Sequence, residues 1–328
     1  MRFGIFGGGK VGRLNPLGDS HGYRDFIEYI KDADRLGYES VFLVEHHFTG
    51  VGQLSASLNL LTYLAAVTRR IRLGTAVLVL PWHNPALLAE QVATLDVLSA
   101  GRVDLGIGRG YRKAEFEQFC IPVTEAQERF DECLEFLQKA WTTEGRFTHE
   151  GKHWRYNQIV VEPEPVQRPH PPIWMAGGSP ESIARVATSN FNLLLDQVGS
   201  MALTFDRLRT YLDTQEKNGR PRDAGRVAVA RALHIVRNEA DRKKALERRA
   251  ENLKNIGELA RKPGSTEALV DDGALIGTPG EVIEKIRGLA EGGVEYILLT
   301  NAVVTRESLL EFSQEIMPHV APARAAAA

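Results

Sequence analysis

Short runs of Val, Ile, Leu and Phe recur along the chain between turn residues, and longer stretches with apolar positions three and four apart lie between them. A short apolar run suits a strand buried on both faces, and the longer spacing is that of an amphipathic helix. The pattern predicts eight strands: Arg2 to Phe6, Ser40 to Val44, Ile71 to Leu78, Arg102 to Ile107, Pro172 to Met175, Asn192 to Leu195, Arg226 to Val236 and Val294 to Thr300. It predicts helices at Tyr23 to Leu36, Ser57 to Thr68, Pro85 to Leu98, Thr124 to Thr142, Pro180 to Thr188, Met201 to Asn218, Ala240 to Leu259 and Gly280 to Glu291. Strands that alternate with helices pair in parallel, and eight such units imply an α/β protein built as one closed (β/α)8 or TIM barrel. A last helix, Arg306 to Met317, packs outside it in this reading.

Three stretches interrupt the alternation. Thr143 to Pro171 alternates polar and aromatic residues and predicts a hairpin insertion before the fifth strand. Arg261 to Leu275 is polar and weakly patterned, the character of a mobile lid loop after the seventh strand. The tail 321–328 is low in complexity and predicts a disordered end to a single domain spanning 1–320.

Composition narrows the class without adding chemistry. At 328 residues the chain has the length of two domains or of one large barrel, and 43% hydrophobic with 25% charged residues is an ordinary balance for a soluble enzyme. A net charge of −2 offers no basic footprint for nucleic acid. Two cysteines, Cys120 and Cys133, make no disulfide framework. Cys133 shares a helical face with Phe130, Leu134, Leu137 and Trp141, which places it in the core. The N-terminus lacks the charged start and long apolar core of an export signal, and no apolar run is long enough to span a bilayer. A cytoplasmic protein with no membrane partner is expected.

The chemistry concentrates where the second strand ends. EHHF at residues 45 to 48 follows the apolar run Ser40 to Val44, and α/β folds carry their sites at strand ends. Alternate side chains of an extended chain face opposite ways, so His46 and His47 do not share one pocket. One is a candidate catalyst and the other a wall residue. Gly7, Gly9 and Gly12 spell a dinucleotide pattern and Gly4, Gly9 and Lys10 a phosphate-loop pattern. Both lack their context: no helix follows the glycines, and Val11 stands where the phosphate loop needs Ser or Thr. Glu45, His46 and His47, joined by His21 or His83 from other loops, leave a metal site open as an alternative, but no metal is assigned.

The segment Leu73 to Gly110, LGTAVLVLPWHNPALLAEQVATLDVLSAGRVDLGIGRG, together with EHHF closely resembles the bacterial luciferase-like, flavin-dependent monooxygenases, a family of (β/α)8 barrels. The likeness continues at Pro171 to Ala184 and Ile276 to Ile286, in the expected order over most of the chain. It implies a monooxygenase that takes reduced FMN and O2, through a C4a-peroxyflavin held in a dry pocket, and oxygenates a small organic substrate such as an aldehyde or ketone. His46 matches the family's catalytic histidine, suited to proton transfer near neutrality, with a neutral wall residue as the plain alternative. Arg109, between Gly108 and Gly110, matches the arginine that binds the flavin phosphate, and Gly177, Gly178 and Ser179 before Pro180 would line an anion site at a helix N-terminus. The two segments are expected to meet on one phosphate. A non-prolyl cis peptide under the flavin ring is implied at Ala76 to Val77. Glu45, Trp82, His83 and Asn84 are weaker candidates for the substrate pocket.

The luciferase α subunit has a reactive cysteine where this chain has Gly108, and Arg237 to Leu275 shows no close match, so light emission does not follow. No nicotinamide domain is evident, which implies a separate flavin reductase. Family members commonly pair through outer helices, here Ser57 to Thr68 and Pro85 to Leu98, and a homodimer is expected. Two alternatives stay open: an oxidoreductase of the same superfamily using the deazaflavin coenzyme F420, and a noncatalytic flavin-binding subunit.

Overall fold

The computed structural model describes residues 1–8, 19–50, 53–260, 268–300 and 305–320. Its strands are β1 (Arg2–Gly7), β2 (Ser40–Leu43), β3 (Arg72–Thr75), β4 (Leu78–Val79), β5 (Val103–Gly108), β6 (Phe147–Glu150), β7 (Arg155–Ile159), β8 (Ile173–Ala176), β9 (Asn192–Leu195), β10 (Val227–Ile235), β11 (Ala274–Gly277) and β12 (Tyr296–Thr300). Parallel strands with intervening helices form the closed eight-stranded sheet of a (β/α)8 barrel, as the alternation predicts. Contacts divide the chain into two compact units, one holding Gly7–Lys31 and Ser40–Met175 and the other holding Met1–Phe6, Asp32–Glu39 and the chain from Ala176 onward.

In the first unit β2 pairs with β3, β3 and β4 with β5, and β5 with β8, all in parallel. Residue size sets the packing between these strands. The Phe42 ring lies against Gly74, where an added Cβ would come within 2.5 Å of the ring, and it meets Trp174 edge-on at 5.6 Å. At the other end of the strands Arg72 grips Asp104 with two hydrogen bonds of 2.7 and 2.8 Å. The predicted hairpin is present as the antiparallel pair β6 and β7. Cys133 is fully buried beside Phe130, Phe136 and Leu137, and burial pushes its thiol pKa up, as a core cysteine requires.

In the second unit β1 pairs with β12, and β10 pairs with β9, β11 and β12. The nine-residue β10 engages β12 through Ala228 to Ala232 and β11 through Ala232 to Ile235. Phe3 and Tyr38 pack their rings on Phe312, fixing the C-terminal helical segment.

Three expectations need correction. The third strand does not run unbroken from Ile71 to Leu78 but divides into β3 and β4 around the cis peptide Ala76–Val77. The segment read as a lid ends in ordered structure: Ala268–Asp272 is helical and Ala274–Gly277 is a fully buried strand, because ALIG supplies four residues small and apolar enough to pair with β10. Residues 261–267 of that segment lie outside the described residues, as do Gly9, Lys10 and Gly12 of the glycine patterns, the His21 side chain and the 321–328 tail. The last helix continues past Met317 to Val320, through a π-helical stretch at Phe312–Ile316.

Candidate active site

Beyond β2 the chain leaves strand geometry, and His46 and His47 divide between two buried carboxylates, Glu115 and Glu45. Glu45, only 4% exposed, accepts hydrogen bonds from the Val79 amide at 2.7 Å and from His83 Nε2 at 2.9 Å. His47 Nε2 lies 3.3 Å from the same carboxylate without completing a hydrogen bond. Burial alone would raise the Glu45 pKa. The contacts from His47 and His83, the His83 charge and the Val79 amide outweigh it and hold the carboxyl at about 2.

His46 turns to the other carboxylate. Its Nδ1 is 3.1 Å from Glu115 Oε1, and the same oxygen accepts the His47 amide at 2.9 Å. Glu115 is buried at the start of the helix Lys113–Gln118, where Arg112 Nη1 approaches it at 3.8 Å and also donates to Gln53 at 2.9 Å. With Nδ1–H directed at a carboxylate, the imidazole keeps its lone pair on Nε2, where a proton can be accepted or given. The His47 ring is enclosed by Trp82 and Phe119, edge-on at 5.5 and 4.8 Å, and Trp82 stacks on Phe119. Phe48, at positive φ and largely exposed, leans on Phe119. The result is an apolar aromatic wall beside a polar dyad.

The cis peptide implied at Ala76–Val77 is present. Both residues are partly exposed, and the Val77 side chain occupies the space over Gly108, where a Cβ would meet Val77 Cγ2 at 2.4 Å. That contact accounts for glycine at position 108. Gly110, at φ +77, faces Val79 Cγ1 at 2.6 Å and so needs glycine for both space and conformation. Between them Arg109 is exposed at the end of β5 and has no ion-pair or hydrogen-bond partner among the described residues. Asn84 is committed locally: it caps the helix Pro85–Leu98 and accepts the Tyr156 hydroxyl at 3.1 Å.

In the second unit Gly177, Gly178 and Ser179 precede the helix Pro180–Thr188 as expected, but their donors are engaged. The amides of Gly178 and Ser179 both donate to Ser182 Oγ at 3.0 Å, and Ser179 Oγ caps the Ser182 amide in a capping box. Hydrogen bonds at this helix start, from its own amide and from Ser179, also hold the Glu181 carboxyl below its ordinary range. Arg207 lies beside this loop, with Nε donating to the Gly178 carbonyl at 3.1 Å.

Glu115, Arg112 and Gln53 escaped sequence reasoning. The helix that carries Glu115 is six residues long, too short to show a period, and the spacing from His46 to Glu115 belongs to no recurrent motif. The only available signal was the position of KAEFEQ just after GIGRG at a strand end.

Comparison with known proteins identifies the family. The profile of the luciferase-like monooxygenases matches residues 1–296. An FMNH2-dependent dimethylsulfone monooxygenase of Pseudomonas putida is 27% identical over 318 residues, covering 88% of this chain and 85% of that protein. The oxygenase component of a flavin-dependent trigonelline monooxygenase of Acinetobacter baylyi is 33% identical over 162 residues, 49% of this chain and 44% of its own length. The solved structure of the monooxygenase RslO1 from Streptomyces bottropensis superposes with a TM-score of 0.85 at 27% identity, covering 98% of this chain and 100% of that one. Against several curated relatives the chain spans only about half of their length, 54%, 50% and 44%.

Proposed function

Because the chain belongs to the luciferase-like monooxygenase family, we propose that it is a flavin-dependent monooxygenase that uses reduced FMN and O2 to oxygenate a small organic substrate. The observation that carries the choice of cofactor is Arg109: an exposed guanidinium, unpartnered among the described residues, between two sterically required glycines at a strand end, beside the partly exposed cis peptide Ala76–Val77. A permanent cation with free donors suits a phosphate that carries about two negative charges. The naming of a relative as FMNH2-dependent supports the same choice.

Bound reduced FMN would supply the two electrons with which O2 gives one oxygen atom to substrate and the other to water. The protein's own part is to hold and shield. Ala76 and Val77 would support the flavin ring, and the aromatic wall of Trp82, Phe116 and Phe119 would keep water from it. Glu115 fixes His46 so that Nε2 transfers the proton, and Glu45 keeps His83 and His47 in place. In the second unit, taken by itself, Gly177, Gly178 and Ser179 are proposed as a phosphate-binding loop, on condition that the Ser182 hydroxyl gives up the Gly178 and Ser179 amides and the Leu194 carbonyl that of Gly177. Reduced flavin would arrive from a separate reductase, a reading supported by the oxygenase-component name of one relative.

Arg109→Ala tests the assignment. It should weaken reduced-FMN binding by about 2 kcal/mol, roughly 30-fold, and leave riboflavin binding unchanged. Unchanged FMN affinity removes Arg109 from the phosphate site, and retention of coenzyme F420 in preference to FMN would overturn the cofactor.

A further inference from the structure

The hairpin of β6 and β7 is fastened to the helix Ala126–Thr142 by charges that the candidate active site does not use. Its turn closes with the Gly151 amide donating to the Trp154 carbonyl at 3.0 Å. Glu132, on the helix, accepts the amides of His153 and Trp154 at 3.0 and 2.8 Å and lies 3.4 Å from His149 Nε2. Gly151 leaves room for that carboxylate, since an added Cβ would fall 1.8 Å from Glu132 Oε1.

His153 is placed differently from His149. Its side chain is 7% exposed, and both ring nitrogens face carboxylates: Nε2 lies 3.3 Å from Glu128 Oε2 and Nδ1 lies 3.7 Å from Glu125 Oε2. A neutral imidazole carries one N–H, so its other nitrogen would turn a lone pair toward a carboxylate oxygen. Only the imidazolium satisfies both contacts. His149, with Phe136 edge-on at 5.2 Å, meets a carboxylate through one nitrogen, which a neutral ring can do.

The remaining charges around His153 are steady near neutral pH. Lys152 donates to Glu128 at 2.8 Å, which raises the lysine and lowers the glutamate. Arg129 donates to Glu125 at 2.8 Å and lies over the Trp154 ring, and a guanidinium does not titrate in this range. Burial would raise Glu132, but the His153 and Trp154 amides outweigh it and hold the carboxyl below its ordinary range. On its other side the hairpin reaches the first unit's candidate site: Tyr156 of β7 donates to Asn84 Oδ1 at 3.1 Å, and Asn84 follows His83, the partner of Glu45.

We propose that His153 is a proton-operated latch: as the imidazolium it holds the hairpin turn on the helix Ala126–Thr142, and when it loses the proton the turn loosens and Tyr156 releases Asn84. A cation held by two carboxylates fastens the hairpin on the acid side, and that contribution is lost as pH rises through the histidine range. The latch needs neither flavin nor substrate and stands apart from the monooxygenase reading.

Hydrogen exchange of the full chain without flavin, read by mass spectrometry from about pH 5.5 to 8 and corrected for the intrinsic pH dependence of exchange, tests it. Protection of the amides of 147–159 should fall about fivefold across that range, the scale of two partly exposed ion pairs. The amides of Ala86 and Leu87, beside Asn84, should follow, and the helix Ser57–Val67 should not. His153→Gln should make hairpin protection independent of pH, as should Glu125→Gln combined with Glu128→Gln, which keeps the histidine. Tyr156→Phe should preserve the fall in the hairpin and remove it at Ala86 and Leu87. Constant protection in the wild type would overturn the latch, as would a fall that survives His153→Gln or that His149→Gln removes instead. A fall shared equally by Ser57–Val67 would report unfolding of the whole chain and would overturn it as well.

Discussion

Glu45 organises more of the first unit's site than either histidine beside it. Its carboxylate joins the end of β2 to the Val79 amide of β4 and to His83, and it stays ionised in a buried place because those groups favour the charge. The folded-state pKa of about 2 lies below the ordinary 4.5, so the linked stability is fully present above about pH 4.5 and is lost as pH falls toward 2. The difference corresponds to about 3 kcal/mol, of which about 2 should be gone by roughly pH 3. Urea unfolding of wild type and Glu45→Gln should therefore show a stability gap that narrows between about pH 6 and pH 3. A constant gap would mean that Glu45 is not the ionised anchor described. At this scale the sequence showed the EHHF cluster because its residues are contiguous, whereas the different directions of His46 and His47 come from their separate partners, since the chain leaves strand geometry after Leu43. It could not show Glu115, whose contact with His46 spans 69 residues and depends on how β5 delivers the following helix.

Elements were legible in proportion to their length and burial. Pro85–Leu98, Pro180–Thr188 and Asn192–Leu195 fall where apolar spacing and a leading Pro or Asn placed them. β11 was hidden because four apolar residues after an acidic pair carry too little pattern, and the break between β3 and β4 was masked by an apolar run that continues through it. The helices Ser57–Val67 and Pro85–Leu98 pack on each other yet leave Tyr63, Leu87 and Leu98 more than half exposed. Apolar groups of that size on neighbouring helices suit a self-complementary contact, and we propose that a second copy covers them. Sedimentation should show a dimer at micromolar concentration, converted to monomer by Tyr63→Glu with Leu98→Glu. A wild-type monomer would rule out this pairing.

For the whole molecule, the barrel was readable from eight alternating units and the family from motifs in the right order, because both depend on local runs of residues. The burial of Arg231 and Arg249, 1% and 4% exposed, was not, since nothing in the sequence context of either marks it as buried. The central claim is that this barrel receives reduced FMN and controls its reaction with O2. Anaerobic binding of photoreduced FMN, followed by mixing with oxygenated buffer while absorbance is recorded, tests it most directly. The account predicts that oxidised FMN returns more slowly from the protein than from free solution, through an absorbance phase that free FMN lacks. Return at the free-solution rate, with the flavin shown to be bound, would contradict it.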